Sequence, residues 1–316
     1  LPDFLNRDRP PVPDIVVPRG VQGFHLAEKP VRGRFVRLGP LAEAILSRHE
    51  AHPVVSTLVG EALALVAALA SGLKFRGSFS LQARGDGPVP MLLADCTDTG
   101  ALRGYARADH ERLAALLAQD PAPSAAALLG QGFLAFTCDQ GPEMDRYQGI
   151  VTIAGQGLAE MTEHYFTTSE QLDAVVRLAC ARGPEGWRAA GLVMERIAGA
   201  GGIGTALDEA EHQEAWHTAV TLAATLTPAE MLDEALSPER LLHRLFHAEG
   251  LVLGRPRALS YGCRCSRARL AGVLSSFPAA ELDEMAEEGT ITMTCEFCNL
   301  AFRFDRAGIR GADSDA

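Results

Sequence analysis

Cys263-Arg264-Cys265 and Cys295-Glu296-Phe297-Cys298 hold four of the chain's seven cysteines in two close pairs near the C-terminus. One residue separates the first pair, two separate the second, and 29 lie between the pairs. Structural zinc takes four ligands and prefers thiolates, so this spacing predicts one Zn2+ held by Cys263, Cys265, Cys295 and Cys298. The CxC half is unusual, because ordinary zinc ribbons pair CxxC with CxxC. After the CxC, Leu270, Val273, Leu274 and Phe277 recur at helical spacing. Pro278 opens a second helix, with Leu282 and Met285 inward and Gly289 as its stop. Ile291 and Met293 then alternate with threonines, and Leu300, Phe302 and Phe304 alternate after Cys298. The CxxC is therefore expected at the turn of a hairpin.

The magnitudes make the metal decisive for this unit, which we place at 259–316. It has 58 residues and few apolar ones. A core below roughly 70–80 residues rarely supplies more than about 3–5 kcal/mol. Structural zinc contributes about 10–16 kcal/mol, and that energy is also folding energy. The thiolates are at once the hold on the metal and the point of oxidant attack. Forming a disulfide removes two ligands together, so the site reads either as a redox switch or as a permanently closed staple. Arg264, Arg267 and Arg269 are expected to favour thiolate at the CxC, and Glu296 to oppose it at the CxxC.

Working back from the cysteines, 199–258 carries helical signals after the flexible run Gly199–Gly204. Trp216, Val220, Ala223 and Leu226 share one side of a helix, and Thr227-Pro228-Ala229-Glu230 is a capping box. Leu241, Leu242, Leu245 and Phe246 are the apolar residues of the next helix. We read this stretch as a helical linker without a large core of its own. Residues 31–198 mix helices at 41–48, 53–73 and 157–172 with short alternating runs at 33–38, 78–83, 89–95, 101–106, 132–138 and 147–154. A hairpin of 174–181 with 187–197 closes this part. Strands grouped together in this way predict an α+β domain. Residues 1–30, rich in proline and charge, read as a flexible tail.

Composition limits the function. At 47% apolar and 22% charged, the 316 residues can bury a sizeable core, and a net charge of -11 disfavours nucleic acid or an anionic membrane as partner. The stretch 54–73 contains Glu61, Ser56, Thr57 and Gly60 and fits a buried helix better than a membrane span. No h-region is visible at the start, and cysteines this sparse fit a reducing compartment, so a cytoplasmic location is expected.

Several further motifs accompany the cysteines: Arg32-Gly33, Leu73-Lys74-Phe75 with Gly77, Gly85-Asp86-Gly87-Pro88 and Arg103-Gly104. Arg146-Tyr147-Gln148-Gly149-Ile150-Val151 and Tyr165-Phe166 with Ser169-Glu170-Gln171-Leu172 follow. In this order they resemble the HslO family, the redox-regulated 33 kDa heat-shock chaperones, from about Val31 to Asp305. The resemblance implies an ATP-independent holdase, not an enzyme, that is inactive when reduced and zinc-bound. It implies disulfides Cys263–Cys265 and Cys295–Cys298 on oxidation, loss of zinc and a disordered linker. It also implies dimerisation on activation, capture of unfolding proteins and their later transfer to ATP-driven foldases. Two departures stand out: Ala189-Ala190-Gly191 where the family often has paired glycines, and the long proline-rich tail.

Other candidates have plainer readings. Cys96, Cys138 and Cys180 are expected as small core residues. His243 and His247 lie at i, i+4 but lack a further ligand motif, and Gly85–Pro88 is a turn without phosphate-loop context. The alternative function is a constitutive zinc-ribbon protein that binds nucleic acid or a protein partner. Residues 259–316 hold six arginines against nine acidic residues, which argues against phosphate binding. A hydrolytic zinc would keep an open position, which four thiolates deny.

Overall fold

Alternation along Ser78–Gly85 buries Phe79, Leu81 and Ala83 against the core and leaves Ser80 and Gln82 on the other face. This strand belongs to a large mixed sheet. In the computed structural model, which describes residues 13–141, 144–197 and 209–309, the chain forms two compact units, Ile15–Gly262 and a smaller one from Cys263 onward.

The strands of the larger unit are β1 (Val16–Leu26), β2 (Val31–Arg37), β3 (Ser78–Gly85), β4 (Met91–Thr97), β5 (Ala101–Arg107) and β6 (Gly132–Asp139). They continue with β7 (Tyr147–Thr152), β8 (Ala174–Gly183), β9 (Gly186–Arg196), β10 (Leu251–Leu253) and β11 (Arg257–Tyr261). Their order is β7-β6-β3-β4-β5-β11-β1-β2-β9-β8, with β10 added to β1. Only the β5–β11 pair among them is parallel.

Two helices precede β3, the short α1 (Pro40–Leu46) and the 20-residue α2 (Pro53–Gly72). Proline opens each, as its fixed φ allows at the first helical turn. Helix α2 is long and apolar enough to span a membrane, yet it is mostly buried in the body's core. Its small residues permit close approach: a Cβ at Gly60 would lie 2.3 Å from Cys180 Sγ. Helices α3 (His110–Gln119) and α4 (Ala125–Leu129) were not foreseen, whereas α5 (Leu158–Tyr165) was; it continues as a wide π-type turn through Glu170.

Three expectations need correction. The expected tail 1–30 contains β1, an 11-residue strand paired with β2, β10 and β11. Pro18 and Gly20 disguised it: register shifts between Val17 and Val21, an irregularity that accommodates proline within a sheet. Residues 1–12 lie outside the described residues. The expected linker also shares a core with the body. Helices α6 (Glu209–Ala224), α7 (Pro228–Leu232) and α8 (Pro238–Phe246) bury Ala219, Ala223, Met231, Leu242 and Phe246 against Phe24, Phe35, Leu192 and Met194. Phe24 and Phe246 stack with ring centroids 5.4 Å apart. The run Gly199–Gly204 lies outside the described residues.

A buried guanidinium fastens these helices to β2. Arg37, 8% exposed, donates from Nε to Met231 O at 2.9 Å, from Nη1 to Leu236 O at 2.7 Å and from Nη2 to Glu230 O at 3.2 Å. The expected capping box at Thr227 and Glu230 is present in full. Finally, β11 pairs with β1 and β5, so residues 259–262, expected in the zinc module, belong to the body.

Candidate metal centre

Each cysteine pair sits in backbone made for convergence. Cys263 and Cys265 precede helix α9 (Arg267–Leu274), whose first turn is capped by the Ser266 side chain accepting from Arg269 N. Strands β12 (Thr290–Thr294) and β13 (Ala301–Asp305) form a hairpin in which Thr294 faces Ala301. Cys295 and Cys298 occupy its turn, as expected. Cys295 N donates to Leu300 O at 3.0 Å and Asn299 N to Cys295 O at 2.8 Å. Asn299 takes the left-handed conformation (φ 53°), which asparagine tolerates better than most residues.

The four sulfurs come together. Cys263 Sγ lies 3.4 Å from Cys265 Sγ and 3.7 Å from Cys295 Sγ, and Cys265 Sγ lies 3.4 Å from Cys298 Sγ. All four lie within 4.8 Å of one another. Sulfurs bound tetrahedrally at about 2.3 Å from one zinc ion would be about 3.8 Å apart. The donor set and its dimensions therefore fit a metal ion closely. All four residues are buried, Cys298 to 1% exposure.

Burial and mutual hydrogen bonding shape the protonation of the cluster. Hydrogen bonds from the Cys263 and Cys298 thiols, with backbone N–H groups of Cys298 and Phe297, hold Cys295 well below the ordinary thiol range. Burial, and then the hydrogen bond with Cys263, push Cys265 up to about 12. Cys298 is raised chiefly by its hydrogen bonds with Cys263 and Cys295. Sulfurs this close cannot all ionise without a cation between them, so metal binding would release protons. Arg267, expected to favour thiolate, is engaged elsewhere: its guanidinium lies 4.7 Å from the Phe304 ring centroid and donates to Arg303 O.

The surrounding core is as thin as expected, and thinner at two positions. Leu274, Leu282, Ile291, Phe302, Phe304 and Ile309 are buried, but Val273 and Met285 are 45% and 39% exposed. Helices α9 and α10 (Ala279–Met285) are too short to bury a full apolar stripe.

The remaining candidates fall away from the centre. Cys96 and Cys138 are buried in the body's core, and Cys180 packs at its margin. Burial pushes the Cys180 and Cys138 thiols up, which suits inert core residues. His243 and His247 are exposed and stack on each other with centroids 5.4 Å apart. Among the described residues, Cys263, Cys265, Cys295 and Cys298 are the one group of three or more side chains placed to hold a metal.

The chain as a whole is similar to known proteins. The family described as Hsp33 protein matches residues 20–305. The 33 kDa chaperonin of Caulobacter vibrioides strain NA1000 is 42% identical over 293 residues, covering 91% of this chain and 95% of that protein. The 33 kDa chaperonin of Pseudomonas aeruginosa strain UCBPP-PA14 is 37% identical over 291 residues, covering 91% and 92%. Among solved structures, the 33 kDa chaperonin of Thermotoga maritima superposes with a TM-score of 0.75 at 22% identity, over 92% of this chain and 96% of that one. The last of these speaks for the fold alone.

Proposed function

The chain belongs to the Hsp33 family of heat-shock chaperones, and from that premise we propose that it is an ATP-independent holdase locked by zinc and released by oxidation. One observation carries the reading: four buried thiols converge within 4.8 Å in a unit whose apolar core is thin. Cys263, Cys265, Cys295 and Cys298 would hold one Zn2+, which when bound supplies the cross-link that the core lacks. Peroxide or hypochlorous acid would take two electrons and two protons from each pair of thiols. Pairing Cys263 with Cys265 and Cys295 with Cys298 follows the family resemblance; distance by itself fits Cys265 with Cys298 equally well. Either way, four thiolate ligands are lost and the module loses its main source of stability.

The consequence for activity rests on the second face of the sheet. Helices α6 to α8 cover Phe24, Phe35, Leu192 and Met194, and one residue, Gly262, separates β11 from Cys263. In this reading, disorder spreading from the oxidised module frees those helices and uncovers an apolar surface for unfolding proteins. An apolar surface uncovered in this way would favour association, so dimerisation on activation belongs to the same proposal. Reduction, with transfer of the bound protein to ATP-driven foldases, would complete the cycle in the cytoplasm.

The test follows zinc release and light scattering of a thermally unfolding client, before and after oxidant. Zinc loss with suppressed aggregation only after oxidation, reversed by reductant plus zinc, is expected. Retained zinc, or protection indifferent to redox state, would instead leave a constitutive zinc protein.

A further inference from the structure

The sequence motifs that the metal centre leaves unused meet around one cavity of the body. Its volume is about 290 Å³, and its wall includes Phe75, Phe79, Phe136, Tyr147, Tyr165 and Phe166. Pockets for small molecules begin at about 300 Å³, so this one suits a compact ligand of one or two fused rings. Phe136 and Tyr165 pack with centroids 4.8 Å apart, and Tyr165 and Phe166 with centroids 5.8 Å apart. Walls of this kind offer ring edges and faces to a planar aromatic occupant.

The backbone departs from regular structure to build this wall. Helix α5 gives way to the π-type turn Phe166–Glu170, and Gln171 follows in the left-handed conformation at φ 54°. The Leu172 N–H closes the turn on Phe166 O at 3.0 Å. Tyr165, Phe166, Glu170 and Leu172 are thereby placed together on the cavity. π-type turns and left-handed residues other than glycine both concentrate at functional sites.

Charge narrows the chemistry of the occupant. Two carboxylates line the cavity, Glu170 and Glu195, and so do the cations Arg32 and Lys74. Glu195 is already satisfied: Arg32 Nε donates to its Oε2 at 2.7 Å and Arg34 Nη1 to its Oε1 at 2.9 Å. Glu170 is engaged through one oxygen only. Tyr147 and Tyr165 both donate to its Oε1, the former at 2.5 Å, and Oε2 has no hydrogen-bond partner among the described residues. Hydrogen bonding to Glu170 raises the Tyr147 hydroxyl, and burial raises that of Tyr165, so both stay donors. An anionic ligand would meet Glu170, and a cationic one would meet Arg32 and Lys74. An uncharged aromatic with one N–H or O–H avoids both costs and gives Oε2 a donor.

We propose that this cavity binds a small uncharged aromatic molecule of the indole or naphthol class, its donor directed to Glu170 Oε2. Such a site lies beyond the chaperone reading, and it requires neither an unfolding client nor a change at the metal centre.

Isothermal titration of the full, reduced chain with indole tests it. Indole should bind once per chain, and 1-methylindole, which lacks the N–H, should bind about tenfold more weakly, the scale of one hydrogen bond to a charged group. Indole-3-acetate and tryptamine, which add one charge of either sign, should each bind more weakly than indole. Glu170→Gln should bring indole and 1-methylindole to near equality, and Leu172→Trp should fill the cavity and abolish both. In the unsubstituted chain, indole should shift the amide resonances of Phe79, Phe136, Tyr147, Tyr165 and Phe166, a readout that stands even if Leu172→Trp fails to fold. Shifts confined to other residues, tighter binding of either charged compound, or no saturable binding would overturn the proposal. So would a cavity that ignores indole and takes only a phenylalanine-bearing peptide, which would give it to a protein segment instead.

Discussion

The body and the cysteine module solve the same problem with different means. In the body, α2 alone contributes Leu58, Leu63, Leu65, Val66 and Leu69 to one continuous core, and a second core lies under α6 to α8. Among its described residues, the module has six buried apolar side chains besides the cysteines, and four sulfurs at its centre. Stability in the body is spread over many contacts of modest worth. On the proposed function, stability in the module would be concentrated on one set of metal ligands that oxidation would remove at once. A switch is best placed where few interactions carry most of the energy.

Removing the metal breaks the comparison most sharply. Dialysis against a strong chelator should cost the module about 10–16 kcal/mol, more than its core can replace. Amides of 290–305 should then lose hydrogen-exchange protection while those of Phe79–Ala83 keep theirs. Cys298→Ser should act in the same direction, with metal content by elemental analysis falling well below one ion per chain. Protection of β12 and β13 without metal would show that the module has a sufficient core after all.

The module was readable from sequence because its chemistry is local. Two cysteine pairs and a hairpin between turn signals sit within a short span, and the hairpin register places Cys295 and Cys298 where alternation put them. The body was harder where burial is two-sided. Strand β9 is buried at seven successive positions from Ala189 to Glu195, a pattern that shows a buried strand without saying what lies on each face. That is why α6 to α8 read as a linker: their partner surface is assembled from β1, β2, β8 and β9, far away in sequence. Strand β1 was missed because its Pro18 and Gly20 resemble those of a tail. The aromatic cavity at Tyr147 and Tyr165 was present only as separate motifs until the fold joined them.

A cavity in the body should have a smaller and purely mechanical effect. Leu63, fully buried on α2, when replaced by alanine should cost about 2–5 kcal/mol. The loss should appear as a lower thermal midpoint of the body with metal content unchanged. If Leu63→Ala also released metal under reducing conditions, the two regions would be coupled before any oxidation.

The smallest effect sharpens the contrast through pH. Glu61 lies on α2 amid apolar neighbours, and burial raises its pKa from 4.5 to about 7. Below about 4.5 the carboxyl is protonated in both folded and unfolded chains and costs nothing. As pH rises toward 7 the unfolded chain gives up the proton first, so the body loses stability across that window and levels off above it. The module runs the other way, because thiols must lose protons to bind metal, and acid weakens it. Lowering the pH from 7 to 5 should therefore raise the Glu61 contribution to the body's stability while loosening the metal. Glu61→Gln should remove the body's share of that dependence, by about 1–3 kcal/mol or less, and leave the metal's pH dependence as it was. A thermal midpoint of the body that responds to pH identically in both chains would mean that Glu61 reaches water, and that the core around α2 is more open than its burial indicates.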